Sequence, residues 1–459
     1  MISLLAVLMV LVVTYLLPAP AEISVEAKNL IGIIIGVLII WFTEAIPFAV
    51  SAAYLIVMPT IMGVVSFADA VTNSMTSVIL FVIATSALTC AFVNTPLANR
   101  IALALLKRSG KSSTGLVFVF MLGTALISTV ISNVPATAMF AALAAKILDA
   151  AEERPGSSRI GRALMIAIPF GAIAGGIATP AGSSINILCL DLLQKYAGIT
   201  VRFLDWMVLG IPMMIVLIPI FTLVIVWICK PEPLKVDVAA VLAANDTVPK
   251  KLTSEEKKTL VILSVMMVLW IASTWVPSIN VTVVAICGMI AFFLPGVNIF
   301  TWKEFNNEVG WDTLLLIGSI TSLGAAVMSS GLSSWLLVNF LGSLVNLNTI
   351  VICILIAVII TLLHFPLPVS AAIMTMSVGP LCELAEQMNI NPVIFAIVAC
   401  FMAGCVMILP LDPIPLITYR RNYYTIQQLL VVGLICSMIW SVLTGIWIPV
   451  ASSWLGYIS

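Results

Sequence analysis

The residues able to do chemistry in this chain are few, and several lie where an apolar environment tolerates them least. Thr179, Ser183, Ser184 and Asn186 sit with Pro180 and Gly182 inside one long apolar run, 163–193. Proline has no N–H to donate and glycine is a weak helix former, so the run is expected to break as a helix there. Backbone freed from a helix at membrane depth persists only against protein or a water-filled cavity. Hydroxyl, amide and unwound carbonyl oxygens are the ligands a dehydrated alkali cation needs. The plainer reading is polar glue between helices, common for Ser and Thr in membranes. Ser132 and Asn133 lie in the middle of another long apolar segment, 114–150. A helix starting there would point free N–H groups at an anion, while the two side-chain oxygens could ligate a cation. An ordinary polar cap is the alternative. The candidate cation ligands are therefore Ser132, Asn133, Thr179, Gly182, Ser183 and Asn186.

Two titratable residues stand apart. Asp412 lies in Leu409-Pro410-Leu411-Asp412-Pro413-Ile414-Pro415, inside an apolar segment. A carboxylate there is costly and reads as a cation ligand or a proton carrier, against the alternative of a helix-end residue near the interface. His364, the single histidine, precedes a Pro-containing turn. A lone histidine in an apolar segment is more often a hydrogen-bonded structural residue; the functional alternative is a proton relay with Asp412. No nucleophile–base pair, phosphate-binding glycine loop or metal motif appears, so the chain reads as a non-enzyme with no cofactor and no metal beyond a coupling ion.

The elements that must hold these residues follow from composition. The chain has 459 residues, 62% hydrophobic and 9% charged. That places it among polytopic membrane proteins, all-α in class, with the lipid bilayer as its surroundings. A net charge of +0 argues against a nucleic-acid partner. The nine cysteines are scattered, without a C-x-x-C pair, and read as small core residues. About eleven apolar runs are long enough to span, near 2–17, 30–46, 48–65, 77–106, 163–193, 204–229, 258–276, 279–295, 312–342, 391–419 and 427–450. Two further segments, 114–150 and 349–388, carry Ser132-Asn133-Val134-Pro135 and Pro366-Leu367-Pro368-Val369-Ser370 in their middles. Each is either a re-entrant hairpin with these residues at its tip or a pair of close-packed spans.

Basic residues decide the orientation. They gather at Lys107, Arg108 and Lys111; at Arg154, Arg159 and Arg162; across Lys230 to Lys258; at Lys303; and at Arg420 and Arg421. With eleven spans and two same-side hairpins, all of these fall inside when the N-terminus is cytoplasmic, leaving Lys28, Lys195 and Arg202 outside. The C-terminus, with Trp447, Trp454 and Tyr457, is then outside, and the expected location is the cytoplasmic (inner) membrane.

The polar stretch 230–257 divides the chain into halves of like order. Each has a hairpin and then a broken helix. The expected divisions are 1–112 and 258–345 as outer scaffold helices, and 113–229 and 346–459 as transport parts. Corresponding breaks in two halves point to a carrier built from inverted repeats, with its site between them.

These residues resemble a known family, the divalent anion–sodium symporters. Trp41-Phe42-Thr43-Glu44-Ala45-Ile46-Pro47 is similar to the signature near that family's second helix. Ser132-Asn133 matches the start of its Ser-Asn-Thr hairpin motif. Gly175-Gly176-Ile177-Ala178-Thr179-Pro180, with Gly182 and Asn186, is similar to its first unwound helix. Trp311 to Leu316 resembles the start of the matching helix in the second half. The resemblance implies a homodimer with an elevator-type transport domain and sodium sites at the hairpin tips. The substrate would lie between them, against Ser132, Asn133, Ser184, Val369, Ser370 and Pro413. The second half differs: Leu367-Pro368-Val369 stands in place of Ser-Asn-Thr, and Asp412 precedes Pro413 where neutral oxygens belong. The leading expectation is a sodium-coupled secondary carrier of a small organic anion, a C4-dicarboxylate first. The alternatives are a proton-coupled carrier or anion exchanger using Asp412, and a non-transporting receptor on the same fold.

Overall fold

The computed structural model describes residues 2–106, 112–234, 236, 249, 251–276, 278–336, 339, 347–365, 367 and 369–457. Lys107, Arg108, Lys111, Lys235, Lys250, Pro366, Pro368 and much of the 230–257 stretch lie outside them. Among the described residues the secondary structure is all helical. The helices of the first half are α1 (Ile2–Leu16), α2 (Val25–Thr43), α3 (Phe48–Ile61), α4 (Phe67–Ser74), α5 (Ser77–Val93), α6 (Leu97–Leu106), α7 (Ser113–Ser128), α8 (Asn133–Ala150), α9 (Arg159–Gly176), α10 (Ser184–Ala197) and α11 (Phe203–Cys229). Those of the second are α12 (Ser254–Ala272), α13 (Val281–Phe293), α14 (Trp302–Glu308), α15 (Trp311–Ser329), α16 (Leu332–Leu336), α17 (Thr349–Leu363), α18 (Ser370–Gln387), α19 (Pro392–Ala403), α20 (Pro413–Tyr419) and α21 (Ile426–Trp454).

Local sequence explains most boundaries. Ser24, Ser112 and Ser158 each cap a helix by accepting an early backbone N–H. Thr253, Thr301 and Thr425 do so within full capping boxes closed by Glu256, Glu304 and Gln428. Glu44 ends α2 in the left-handed conformation, φ 47, so its place in the stretch Trp41 to Pro47 is a helix end. The Trp41 indole then donates to Ser51 Oγ at 2.8 Å and fixes the turn into α3.

Among the described residues five helical stretches are long and apolar enough to cross a membrane: Val25–Thr43, Phe67–Val93, Phe203–Cys229, Trp311–Ser329 and Ile426–Trp454. The run 77–106 is two helices parted at Asn94–Pro96, and 312–342 is interrupted at Ser330–Gly331. The runs 163–193 and 391–419 are broken, as their prolines predict. The two hairpin segments differ from each other. α7 and α8 pack together across a short turn, whereas α17 packs on α19 and α21, and α18 on α10, α15 and α19. The second segment is therefore not a close-packed pair of spans.

The same packing scheme occurs twice. α9 lies on α7, α8 and α11; in the second half α19 lies on α17, α18 and α21. The arms after each break are exchanged: α10 packs on α18 and α19, while α20 packs on α8 and α9. The outer helices follow the same rule, since α3 packs on α15 and α13 on α5. Two glycines mark the correspondence. Gly210 of α11 presses on the Ile177 carbonyl at the first break, and Gly433 of α21 on the Met407 carbonyl at the second. A β-carbon at either position would collide with backbone, so the helix that follows each break can approach it only through glycine.

Candidate functional site

The first break is made by Pro180, which opens a single 3-10 turn, Pro180–Gly182, between α9 and α10. Its backbone is held from three sides. Asn186 Nδ2 donates to Gly176 O at 2.7 Å and to Thr179 O at 2.8 Å. The Thr179 hydroxyl donates to Thr129 O at 2.6 Å, tying the break to the α7–α8 turn. The Trp206 indole donates to Ile177 O at 2.9 Å. Ser183 caps α10, its Oγ accepting from Ile185 N at 3.4 Å. Ser184 is the first residue of that helix and half-buried.

Asn133 meets this stretch from α8. Its side chain is buried and lies directly over Gly176. With the amide nitrogen turned inward it donates to Ala172 O at 3.2 Å, to Gly182 O at 3.1 Å and to Ser128 Oγ at 2.6 Å. With the oxygen turned inward it accepts from Ser128 Oγ at 2.6 Å, and it then faces the same two carbonyls. With the nitrogen inward these contacts are ordinary hydrogen bonds; with the oxygen inward, three oxygens meet, and a cation between them would offset their repulsion. The carbonyls come from the last turns of α9 and from the unwound stretch, the usual sources of alkali-cation ligands in broken membrane helices. A β-carbon on Gly182 would also lie 2.6 Å from Gly176 O and 2.9 Å from Ser128 O, so backbone oxygens crowd this point. The residues present therefore fit a small dehydrated cation.

The sequence-based ligand set is redistributed by this geometry. Asn133 and Gly182 meet at the oxygen cluster. The Asn186 amide nitrogen, the Thr179 hydroxyl and the Ser183 hydroxyl are engaged in holding backbone. Ser132 caps α8 without a side-chain bond and is exposed beside the cluster. Ser128, Ala172 and Gly176 were not among the candidates. Ser128 was findable as a polar residue about one turn from the hairpin tip; the two backbone carbonyls carry no sequence signal.

The second break is built differently. Asp412 Oδ1 accepts from Ile414 N at 3.0 Å, making Asp412 the N-cap of α20, with Pro413 in the first turn. His364 Nδ1 lies 3.1 Å from Ile360 O and Nε2 lies 3.0 Å from Ala403 O. Both ring nitrogens thus face carbonyl oxygens, and only an imidazolium can donate to both. His364 and Asp412 line one small cavity of about 10 Å³ together with Val406, Ile408, Leu409 and Leu411. Val369 caps α18 without a side-chain bond, and Ser370 behind it is buried. Among the described residues no group of three His, Cys, Asp or Glu could hold a metal ion, and the nine cysteines are free.

Long apolar helices, with two broken helices whose second arms cross to the opposite half, define a polytopic membrane protein. The family described as the sodium:sulfate symporter transmembrane region matches residues 1–458, and the chain belongs to that family. It is 25% identical over 451 residues to a sodium-dependent dicarboxylate transporter, SdcS, of Staphylococcus saprophyticus, covering 92% of this chain and 85% of that protein. It is 24% identical over 443 residues to SdcS of Staphylococcus aureus, covering 90% and 84%. In fold it is similar to the YdaH transporter of Alcanivorax borkumensis, with TM-score 0.54, 17% identity and coverage of 81% of this chain and 85% of that one.

Proposed function

We propose that the chain is a sodium-coupled secondary carrier of a small organic anion, a C4-dicarboxylate first, working as a homodimer by an elevator motion in the inner membrane. The observation that carries this reading is the oxygen cluster around Asn133, where Ala172 O and Gly182 O lie 3.2 and 3.1 Å from the inward end of the amide. Sodium bound there would turn the amide oxygen inward and the nitrogen outward, toward the anion. Ser132, Asn133 and Ser184 from the first half, with Val369, Ser370 and Pro413 from the second, would then border the substrate. Coupling follows because each ligand favours the arrangement that binds the other. The twofold packing scheme supports two inverted repeats, and the SdcS relatives support sodium and a dicarboxylate. The orientation with the N-terminus cytoplasmic and the C-terminus outside rests on the basic clusters. Uptake of labelled succinate into proteoliposomes, with and without an inward sodium gradient, tests it. Saturable uptake that needs the gradient is expected; uptake indifferent to sodium overturns it.

A second reading keeps the carrier and changes the ion. It rests on the shared cavity of His364 and Asp412 and on the two carbonyls facing the imidazole. A proton held there would replace the second cation.

A further inference from the structure

Arg162, in the first turns of α9, is half-buried. Its Nε is buried without a hydrogen-bond partner, and the guanidinium forms no ion pair among the described residues. The nearby basic residue is provided for: Arg159 Nε pairs with Glu232 at 3.0 Å. A guanidinium with a buried, unsatisfied Nε and no carboxylate among the described residues is a ready partner for an anion. It opens on a cavity of about 250 Å³ lined also by Ile228, Cys229, Gln427, Gln428 and Val431.

The walls describe what fits. The cavity lies where the start of α9, the end of α11 and the start of α21 meet, and the Tyr423 ring packed on Gly161 closes these elements together. Its polar side has the Arg162 fork and two glutamine amides. Gln428 Oε1 is engaged with Thr425 N at 3.0 Å, which leaves its amide nitrogen as a donor. The positive end of the 29-residue helix α21 faces the same space. Its other side is apolar, lined by Ile228, Val431 and Val432, and Leu223, Trp227 and Val431 on α11 and α21 are 63%, 69% and 49% exposed. A mostly apolar cavity of this volume, bordered by one arginine and two glutamines, suits a molecule with an anionic head and acyl chains. It is smaller than the about 300–1,000 Å³ of a drug-sized ligand pocket, so the chains must lie outside.

We infer that this cavity binds the phosphate headgroup of an anionic glycerophospholipid, held by Arg162 and the Gln428 amide, with its chains along α11 and α21. Basic pockets between membrane helices bind lipid headgroups in this manner. The headgroup bridges α9, whose far end is the first break, to the helices that follow both breaks.

The test is thermal unfolding of delipidated protein in neutral detergent with phosphatidylglycerol, phosphatidylcholine or glycerol 1-phosphate added. Phosphatidylglycerol is expected to raise the midpoint by about 2 °C or more, because it binds only the folded state. Phosphatidylcholine and glycerol 1-phosphate are expected to leave it unchanged. Arg162→Gln should lose the increment and Arg162→Lys should keep most of it. Val431→Trp, which fills the cavity without touching the charge, should lose it too. An equal increment in Arg162→Gln or in Val431→Trp overturns the inference. An equal effect of glycerol 1-phosphate also overturns it, because the ligand would then be a soluble anion.

Discussion

The side chain of Asn133 fills the space that a β-carbon on Gly176 would need. The hairpin tip therefore reaches the first break only because position 176 has no side chain. Gly176→Ala should push Asn133 off the cluster and cost about 1–3 kcal/mol of stability from overpacking. Sodium-driven uptake should fall about tenfold or more, since displacement of a ligand by an ångström is enough for such a loss. Uptake and thermal midpoint measured on the same preparation check this. Wild-type uptake from a destabilised protein would show that Asn133 is not a ligand.

Ser128 supplies the hydroxyl opposite Asn133, 2.6 Å from it. Ser128→Ala removes one oxygen and leaves the helix intact, at about 1.4 kcal/mol for a tenfold change in affinity. The sodium concentration for half-maximal uptake should rise about tenfold, with little change in the maximal rate. A sodium titration with no shift would place the ion elsewhere.

Asp412 caps α20 and shares a cavity with His364. Asparagine caps as well as aspartate, whereas alanine costs about 0.5–2 kcal/mol. Asp412→Asn should thus keep the melting midpoint while Asp412→Ala lowers it. Under the proton reading, Asp412→Asn should abolish uptake driven by an imposed pH gradient and leave substrate exchange. Proton-driven uptake that survives the substitution removes Asp412 from coupling.

Glu232, outside the spanning helices, accepts from Arg159 N and from Arg159 Nε, each at 3.0 Å. Burial raises its pKa. The backbone N–H groups of Glu232 itself, Arg159 and Ile160, with the Arg159 guanidinium, outweigh that and hold it below the ordinary carboxylate value. A depressed folded value contributes stability above the ordinary carboxylate range, and that contribution is lost as pH falls through the folded value. Arg159 is more than half exposed, so the pair contributes at most about 1 kcal/mol. The stability gap between wild type and Glu232→Gln, read from melting midpoints, should be present at neutral pH and close as pH falls below the ordinary carboxylate range. A gap independent of pH would mean that the charge does not matter.

Much of the architecture was legible in the chain. Pro180 and Pro413 dictate breaks because they cannot donate in a helix, and Asn133 marks a helix start in an apolar run. The likeness of the halves showed in the hairpin-then-break order. Packing extends it to the outer helices, where α3 lies on α15 and α13 on α5. Hydropathy read 77–106 as one span because it averages over Asn94–Pro96, a break of only a few residues.

Composition and proline placement alone determined an all-helical membrane chain with two interrupted helices, because burying a backbone polar group without a partner is prohibitive in hydrocarbon. Only the tertiary structure decided which oxygens meet. Ala172 O and Gly182 O are backbone atoms that every residue carries. They become a candidate ligand set solely because α8 lays Asn133 across Gly176. The unpaired state of Arg162 was equally invisible, since in sequence it is one basic residue in a cluster. Only folding gives Glu232 to Arg159 and leaves Arg162 facing an open cavity.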